Sequence, residues 1–366
     1  MTRILALSAL LAASVGFAGE KAPEPKIQLA ILLDTSSSMD GLINQTKEQL
    51  WKIVNTFATA KKEGKRPRLE IALYEYGNDT LSAESGYIRQ VSPLTTNLDA
   101  ISEKLFALKT NGGSEYCGQV IAKALDQLEW SKDPHDLKLI YIAGNEPFTQ
   151  GPVDYKKSVK AAIERGVVVN TIHCGDERTG INGGWKDAAM LADGNFLTID
   201  QNRAVAYVEA PQDKEIARLG AELNKTYVGY GRSAPEAAAR QEAQDKNAGG
   251  LSLGSATARA VSKSSAMYDN ADWDIVDAKK KGKKVEEAEM PAELKAMKPA
   301  ERDAFVEQKA KERAELQAKI QALNTEREKF VQAEMKKRAD QGPKTMDAAL
   351  LESAKAQGGK QAFSFE

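Results

Sequence analysis

Lys26 to Asp40, KIQLAILLDTSSSMD, decides how this chain is read. The run from Lys26 to Leu33 is almost continuously apolar, the pattern of a strand buried on both faces of a sheet. It then ends abruptly in carboxylates and hydroxyls. Asp34, Ser36 and Ser38 alternate along the loop, so their oxygens can converge on one point. Hard oxygen donors suit Mg²⁺ or Mn²⁺ better than zinc, which favours His and Cys. A local reading stands beside that one: Asp34 and Ser36 cap the helix that follows.

Outward from the loop, Leu42, Ile43, Leu50, Val54 and Phe57 fall mostly at helical spacing, up to a stop at KKEGKRP. RLEIALYEYG is a second strand, ended by a turn-forming Gly-Asn-Asp. Helices are expected at 97–108 and 118–130, a strand at LKLIYIA, a helix at 153–165, a strand at VVVNTIH and a shorter one at GNFLTID. Strands alternating with helices imply an α/β fold: a doubly wound, mainly parallel sheet with helices on both faces. In such sheets ligands sit beyond the carboxyl ends of the strands, where the winding reverses. DTSSSMD, GGSEYC, AGNEP and HCGDE are the loops at that edge.

DTSSSM after a hydrophobic strand resembles the D-x-S-x-S motif of the von Willebrand factor type A family. The resemblance spans residues 26–199, and it implies a Rossmann-like fold with a metal-ion-dependent adhesion site at the end of the first strand. In that family a Thr from a second loop and an Asp from a third complete the site. The second loop matches at NGGSEYCG, where Ser114 takes the Thr position and keeps a hydroxyl. The third departs: the family's T-D-G aligns with Ala143-Gly144-Asn145, so the usual Asp is absent. Glu146 or Glu115 could restore a carboxylate, directly or through water. The site expected from the resemblance is Asp34, Ser36, Ser38, Ser114 and Glu146, holding Mg²⁺ or Mn²⁺ and engaging a protein partner that offers an acidic side chain.

The charge balance, 51 Lys and Arg against 52 Asp and Glu, gives no basis for nucleic acid, which needs a basic surface. Residues 1–18 read as a signal peptide: Arg3, an apolar stretch from Ile4 to Val15, and the small-residue site Gly16-Phe17-Ala18, with 19–26 as linker. That stretch is too short to span a membrane comfortably, and no later one is apolar enough. The mature chain is therefore expected to be periplasmic or secreted, with no membrane span. In an oxidising compartment Cys117 and Cys174, both at the carboxyl edge, are expected to form a disulfide; two separate buried thiols remain the alternative. Of the two histidines, His135 lies in a turn-like SKDPHD, and His173 ends an apolar strand.

The α/β domain is expected over 27–225, an irregular linker over 226–266 and a charged helical C-terminal region over 267–366. MYDNADWDIVD supplies an apolar anchor for that region. Val306, Leu316, Ile320, Leu323 and Phe330 then form a narrow stripe shared with Lys309, Arg313 and Arg327, which favours a helix docked on the domain over a dry coiled coil. The function expected is an exported cation-dependent interaction or adhesion protein, not an enzyme. The alternative is a structural envelope protein with a degenerate metal site that interacts through its helical tail.

Overall fold

A computed structural model describes residues 24–40, 42–58, 60–199, 207–339 and 346–365. The expected leader falls at 1–18, outside the described residues. The strands are β1 (Lys26–Asp34), β2 (Ala60–Lys62), β3 (Arg68–Tyr76), β4 (Ile88–Thr95), β5 (Leu137–Gly144), β6 (Val167–His173), β7 (Phe196–Thr198) and β8 (Phe363–Phe365). The helices of the first half are α1 (Ile43–Ala58), α2 (Leu98–Ala107), α3 (Cys117–Gln127), α4 (Tyr155–Glu164), α5 (Glu177–Asn182) and α6 (Trp185–Leu191). The second half adds α7 (Asp213–Asn224), α8 (Ala234–Leu251), α9 (Leu253–Ser264), α10 (Ile275–Lys280), α11 (Ala292–Lys295), α12 (Pro299–Ala339) and α13 (Met346–Lys360).

Six strands form the central sheet in the order β4-β3-β1-β5-β6-β7, parallel except for β4. β1 is central, and successive residues of it feed two cores. Leu29, Ile31 and Leu33 pack with α1 and α2 on one face; Ala30 and Leu32 pack with α3, α4 and α6 on the other. The chain winds from β1 through β3 to β4, then crosses to β5 on the other side. The direction therefore reverses between β1 and β5, at the end of the sheet where Asp34 stands.

The sequence pattern did not reveal β4. It carries Pro93, which a sheet tolerates on an edge strand, and β4 is the edge. The stretch expected to be an irregular linker over 226–266 is instead largely α8 and α9. No apolar stripe announces them because much of what they bury is polar. Gln241, Gln244, Arg259 and Lys263 are all buried. Arg259 meets Asp99 of α2 at 2.6 Å and Asp245 at 2.9 Å, while Ser102 of α2 donates to Gln244 at 2.9 Å. The helical half is thus joined to the sheet domain through buried charge.

The anchor expected around Tyr268, Trp273, Ile275 and Val276 is buried. α12 docks as a solvated helix with one buried side, and its arginines enter that side. Arg313 donates to Asp274 (2.7 Å), Asp277 (2.9 Å) and the Thr226 carbonyl (2.7 Å), with its guanidinium 3.9 Å from the centre of the Tyr227 ring. Arg327 reaches the fully buried Asp213 at 2.6 Å.

The chain end is more than an appendage. β8 pairs antiparallel with β2, Phe363 and Ala354 belong to the α1-side core, and Gln357 exchanges hydrogen bonds with Asn170 of β6. Asn195 also donates to Ser353 of α13 at 2.8 Å. Residues 346–365 therefore complete one face of the sheet domain. Phe363→Ala should cost about 3 kcal/mol of unfolding free energy. Ser364→Ala, one residue on and exposed, should stay within about 0.5 kcal/mol. Urea unfolding of the two variants checks this; equal midpoints would show that the chain end does not contribute to the core.

Candidate metal centre

Parallel pairing sets Asp34 opposite Tyr76 of β3 and Leu33 opposite Ala143 of β5, so three strands end together around the Asp34 carboxylate. The loop after β1 is stitched to the loop before α3. Asn111 N–H donates to the Thr35 carbonyl (2.9 Å), Ser37 N–H to the Gly112 carbonyl (2.5 Å), and Gly112 N–H to Ser37 Oγ (2.8 Å). Asn78 adds a bond to the Lys109 carbonyl at 3.0 Å. The glycines explain how the backbones come so close. A Cβ on Gly113 would lie 1.6 Å from the Gly77 carbonyl oxygen, and both residues have positive φ.

Within this cradle Asp34 Oδ1 accepts from Ser36 N–H at 2.8 Å. Ser36 Oγ and Ser38 Oγ are 2.8 Å apart, and Ser38 donates to Asn145 Oδ1 at 2.9 Å. Ser36 precedes a single 3₁₀ turn, Ser37–Met39, but its side chain makes no capping bond. The capping alternative therefore does not account for Ser36. Asp34 is 1% exposed, and its Oδ2 is buried without a hydrogen-bond partner among the described residues. Burial pushes its pKa up to about 7, against the pull of the Ser36 bonds, and the negative charge of Glu115 pushes the same way.

Ser114 is half-buried in the second loop. It is the following residue, Glu115, that the structure brings against Ser36. Glu115 is 4% exposed, with its pKa raised to about 6 by burial and by the charges of Glu146 and Asp79, while Ser36 pulls it down. Glu146 is half-buried and turned aside: its Oε2 accepts from Gln150 at 3.4 Å, and its carbonyl accepts from the Trp185 indole at 2.8 Å. Gly144 occupies the third-loop position, and the Tyr76 hydroxyl stands 2.5 Å from where its Cβ would be. Tyr76, which the sequence reading passed over, is fully buried and donates to the Ala143 carbonyl at 3.0 Å.

The expected disulfide is not present. Cys117 and Cys174 are free, and they pack in different cores on opposite faces of the sheet. Cys117 Sγ donates to the Tyr76 hydroxyl at 3.7 Å, and Cys174 Sγ lies 3.6 Å from Thr46 Oγ1. A common sheet edge did not imply a common face. Burial pushes both thiols up, Cys174 to about 12.

A buried carboxylate with an unpaired oxygen, two adjoining hydroxyls and a neutral amide oxygen make a hard donor set, which fits a divalent cation of the Mg²⁺ type. No cluster of three or more His, Cys, Asp or Glu with ligand geometry occurs among the described residues, so any ion here leans on hydroxyls. Without the ion, the raised Asp34 pKa makes the folded state hold the proton more tightly than the unfolded chain does. Stability from this group is then full below pH 4 and is lost as pH rises towards 7. In chelator, Asp34→Asn should therefore gain on the parent by on the order of 2–3 kcal/mol between pH 5 and pH 8. Parallel stability–pH curves in urea would contradict the assignment.

Comparison with known proteins agrees with this architecture. Residues 28–182 match the family model of the von Willebrand factor type A domain. Similar solved structures include the SpRpn10 VWA domain, at 16% identity over 48% of this chain and 88% of that one, with TM-score 0.36. BatB from Bacteroides thetaiotaomicron aligns at 15% identity over 49% and 92%, with TM-score 0.36. Proximal thread matrix protein 1 from the mussel byssus, with a zinc-occupied MIDAS motif, aligns at 11% identity over 50% and 43%, with TM-score 0.35. No curated protein sequence matches the chain. Residues 28–182 of this chain form a von Willebrand factor type A domain.

Proposed function

We propose that the protein binds a divalent cation, Mg²⁺ or Mn²⁺, at Asp34, Ser36 and Ser38 and uses that site to engage a protein partner. The observation that carries this reading is the Asp34 carboxylate, buried with one oxygen unpaired beside two hydroxyls. The ion would supply the missing positive charge and an open coordination position at the protein surface, where Ser38 is exposed. The zinc-occupied motif of the mussel protein and the SpaC pilus adhesin among the similar structures are in keeping with such a role.

Binding rather than catalysis is the proposal, because the titratable groups around Ser36 are carboxylates. His173 is buried against Trp185 with neither ring nitrogen hydrogen-bonded among the described residues. The leader-like residues 1–18 support an exported location, periplasmic or secreted, and no described helix is long and apolar enough to cross a membrane. One observation favours the structural alternative with a degenerate site: Gly144 stands where the family carries an acid, and the Tyr76 hydroxyl fills the space beside it.

Metal-dependent melting separates these readings. At a hundred times the dissociation constant, Mg²⁺ or Mn²⁺ should stabilise the parent by about 2.7 kcal/mol. Asp34→Ala should abolish that increment. An unchanged melting temperature in millimolar Mg²⁺ and in Mn²⁺ would favour the degenerate site.

A further inference from the structure

The third-loop acid is missing, and the structure shows both why it cannot simply be restored and what stands near instead. A Cβ at position 144 would meet the Tyr76 hydroxyl at 2.5 Å, and Asp34 Cβ and Oδ2 at 3.0 Å. Tyr76 is fixed there by its bond to the Ala143 carbonyl and by the Cys117 thiol. The space from which a third-loop carboxylate would reach Asp34 is therefore occupied by a phenol.

On the opposite side of Asp34 the backbone has been thinned. A Cβ on Gly77 would stand 2.8 Å from Asp34 Oδ1 and 2.9 Å from Glu115 Cγ, so the two acidic side chains close on a point kept empty by a glycine. Gly113, against the Gly77 carbonyl, lets the second loop approach closely enough to deliver Glu115 there. Gln150 Oε1 accepts from Glu115 N–H at 3.3 Å, while Gln150 Nε2 donates to Glu146. One amide thus steadies the backbone of the inner acid and engages the side chain of the outer one.

Two carboxylates at 1% and 4% exposure, side by side, are costly unless something positive lies between them. The neighbouring charges that perturb Glu115 most, those of Glu146 and Asp79, are themselves negative. The other oxygen of the same carboxylate, Oδ2 on the Gly144 side, has no hydrogen-bond partner among the described residues, a second sign that Asp34 is left short of a positive charge.

We propose that Glu115 is the second carboxylate of the cation site, closing it from the loop before α3 in place of an acid after β5. This inference rests on the cation reading above. The charge of a divalent ion is then balanced by Asp34 and Glu115 alone. The chain then balances the ion's charge without needing an acid from a partner, and Glu146 stays outside the coordination.

Mn²⁺ titration of the full chain, followed by loss of the free-ion paramagnetic resonance signal, tests this. Glu115→Gln should weaken Mn²⁺ binding at least tenfold, whereas Glu146→Gln should change it less than threefold. Melting in chelator identifies folded variants, and Glu115→Gln should melt no lower than the parent because it removes a buried charge. Binding by folded Glu115→Gln within threefold of the parent would overturn the role of Glu115 while leaving the cation reading intact. A parent that binds no Mn²⁺ would overturn both.

Discussion

The burial of Asp34 at the end of the central strand, with no cationic side chain paired to it among the described residues, is the constraint around which the carboxyl edge is built. Other buried acids here are differently provided for. Asp213 and Asp274, both 0% exposed, meet Arg327 and Arg313, and Asp99 meets Arg259. Removing one member of such a pair is expensive because the survivor is left buried and uncompensated. Asp34 sits in that uncompensated condition, with Glu115 beside it. Glycines at 77, 113 and 144 clear the space around the pair, and the hydrogen bonds between the first two loops hold it in place.

The rest of the chain supports that edge from behind. α1 leaves the Asp34 loop and lies under α13, whose buried Ala354 extends the same core. β8 then closes on β2, directly after α1. The helical half is held to the sheet domain both by the buried ion pair of Arg259 with Asp99 of α2 and by apolar packing, since Tyr268, Met267, Ala258 and Tyr227 join the α1-side core. A buried pair of this kind adds little net stability over an apolar contact, but loss of one partner leaves the other buried and uncompensated.

Much of this was legible from the residues. β1, β3, β5 and β6 announced themselves as apolar runs because parallel strands are buried on both faces. The D-x-S-x-S spacing placed Asp34, Ser36 and Ser38 together, and the structure keeps them within bonding distance. What failed to show has physical reasons. α8 and α9 bury Gln, Arg and Lys, so no hydrophobic period marks them. β4 was hidden by Pro93. Cys117 and Cys174 share an edge but not a face, a distinction that loop position alone does not carry. For the carboxylate near Ser36, the residues left both Glu146 and Glu115 open and the expected site took Glu146, while side-chain direction in the second loop favours Glu115; the adjoining Gly112-Gly113 was the available signal, since paired glycines mark a close backbone approach.

The central claim, that the Asp34 carboxylate is buried in order to hold a cation, is tested most directly by anomalous diffraction from crystals of the full chain grown with Mn²⁺. The account predicts a single strong peak at the carboxyl end of β1, within about 2.3 Å of Asp34 Oδ2, with the Ser36 and Ser38 hydroxyls around it. A map without that peak at millimolar Mn²⁺, with Asp34 Oδ2 bonded to water or protein alone, would contradict it.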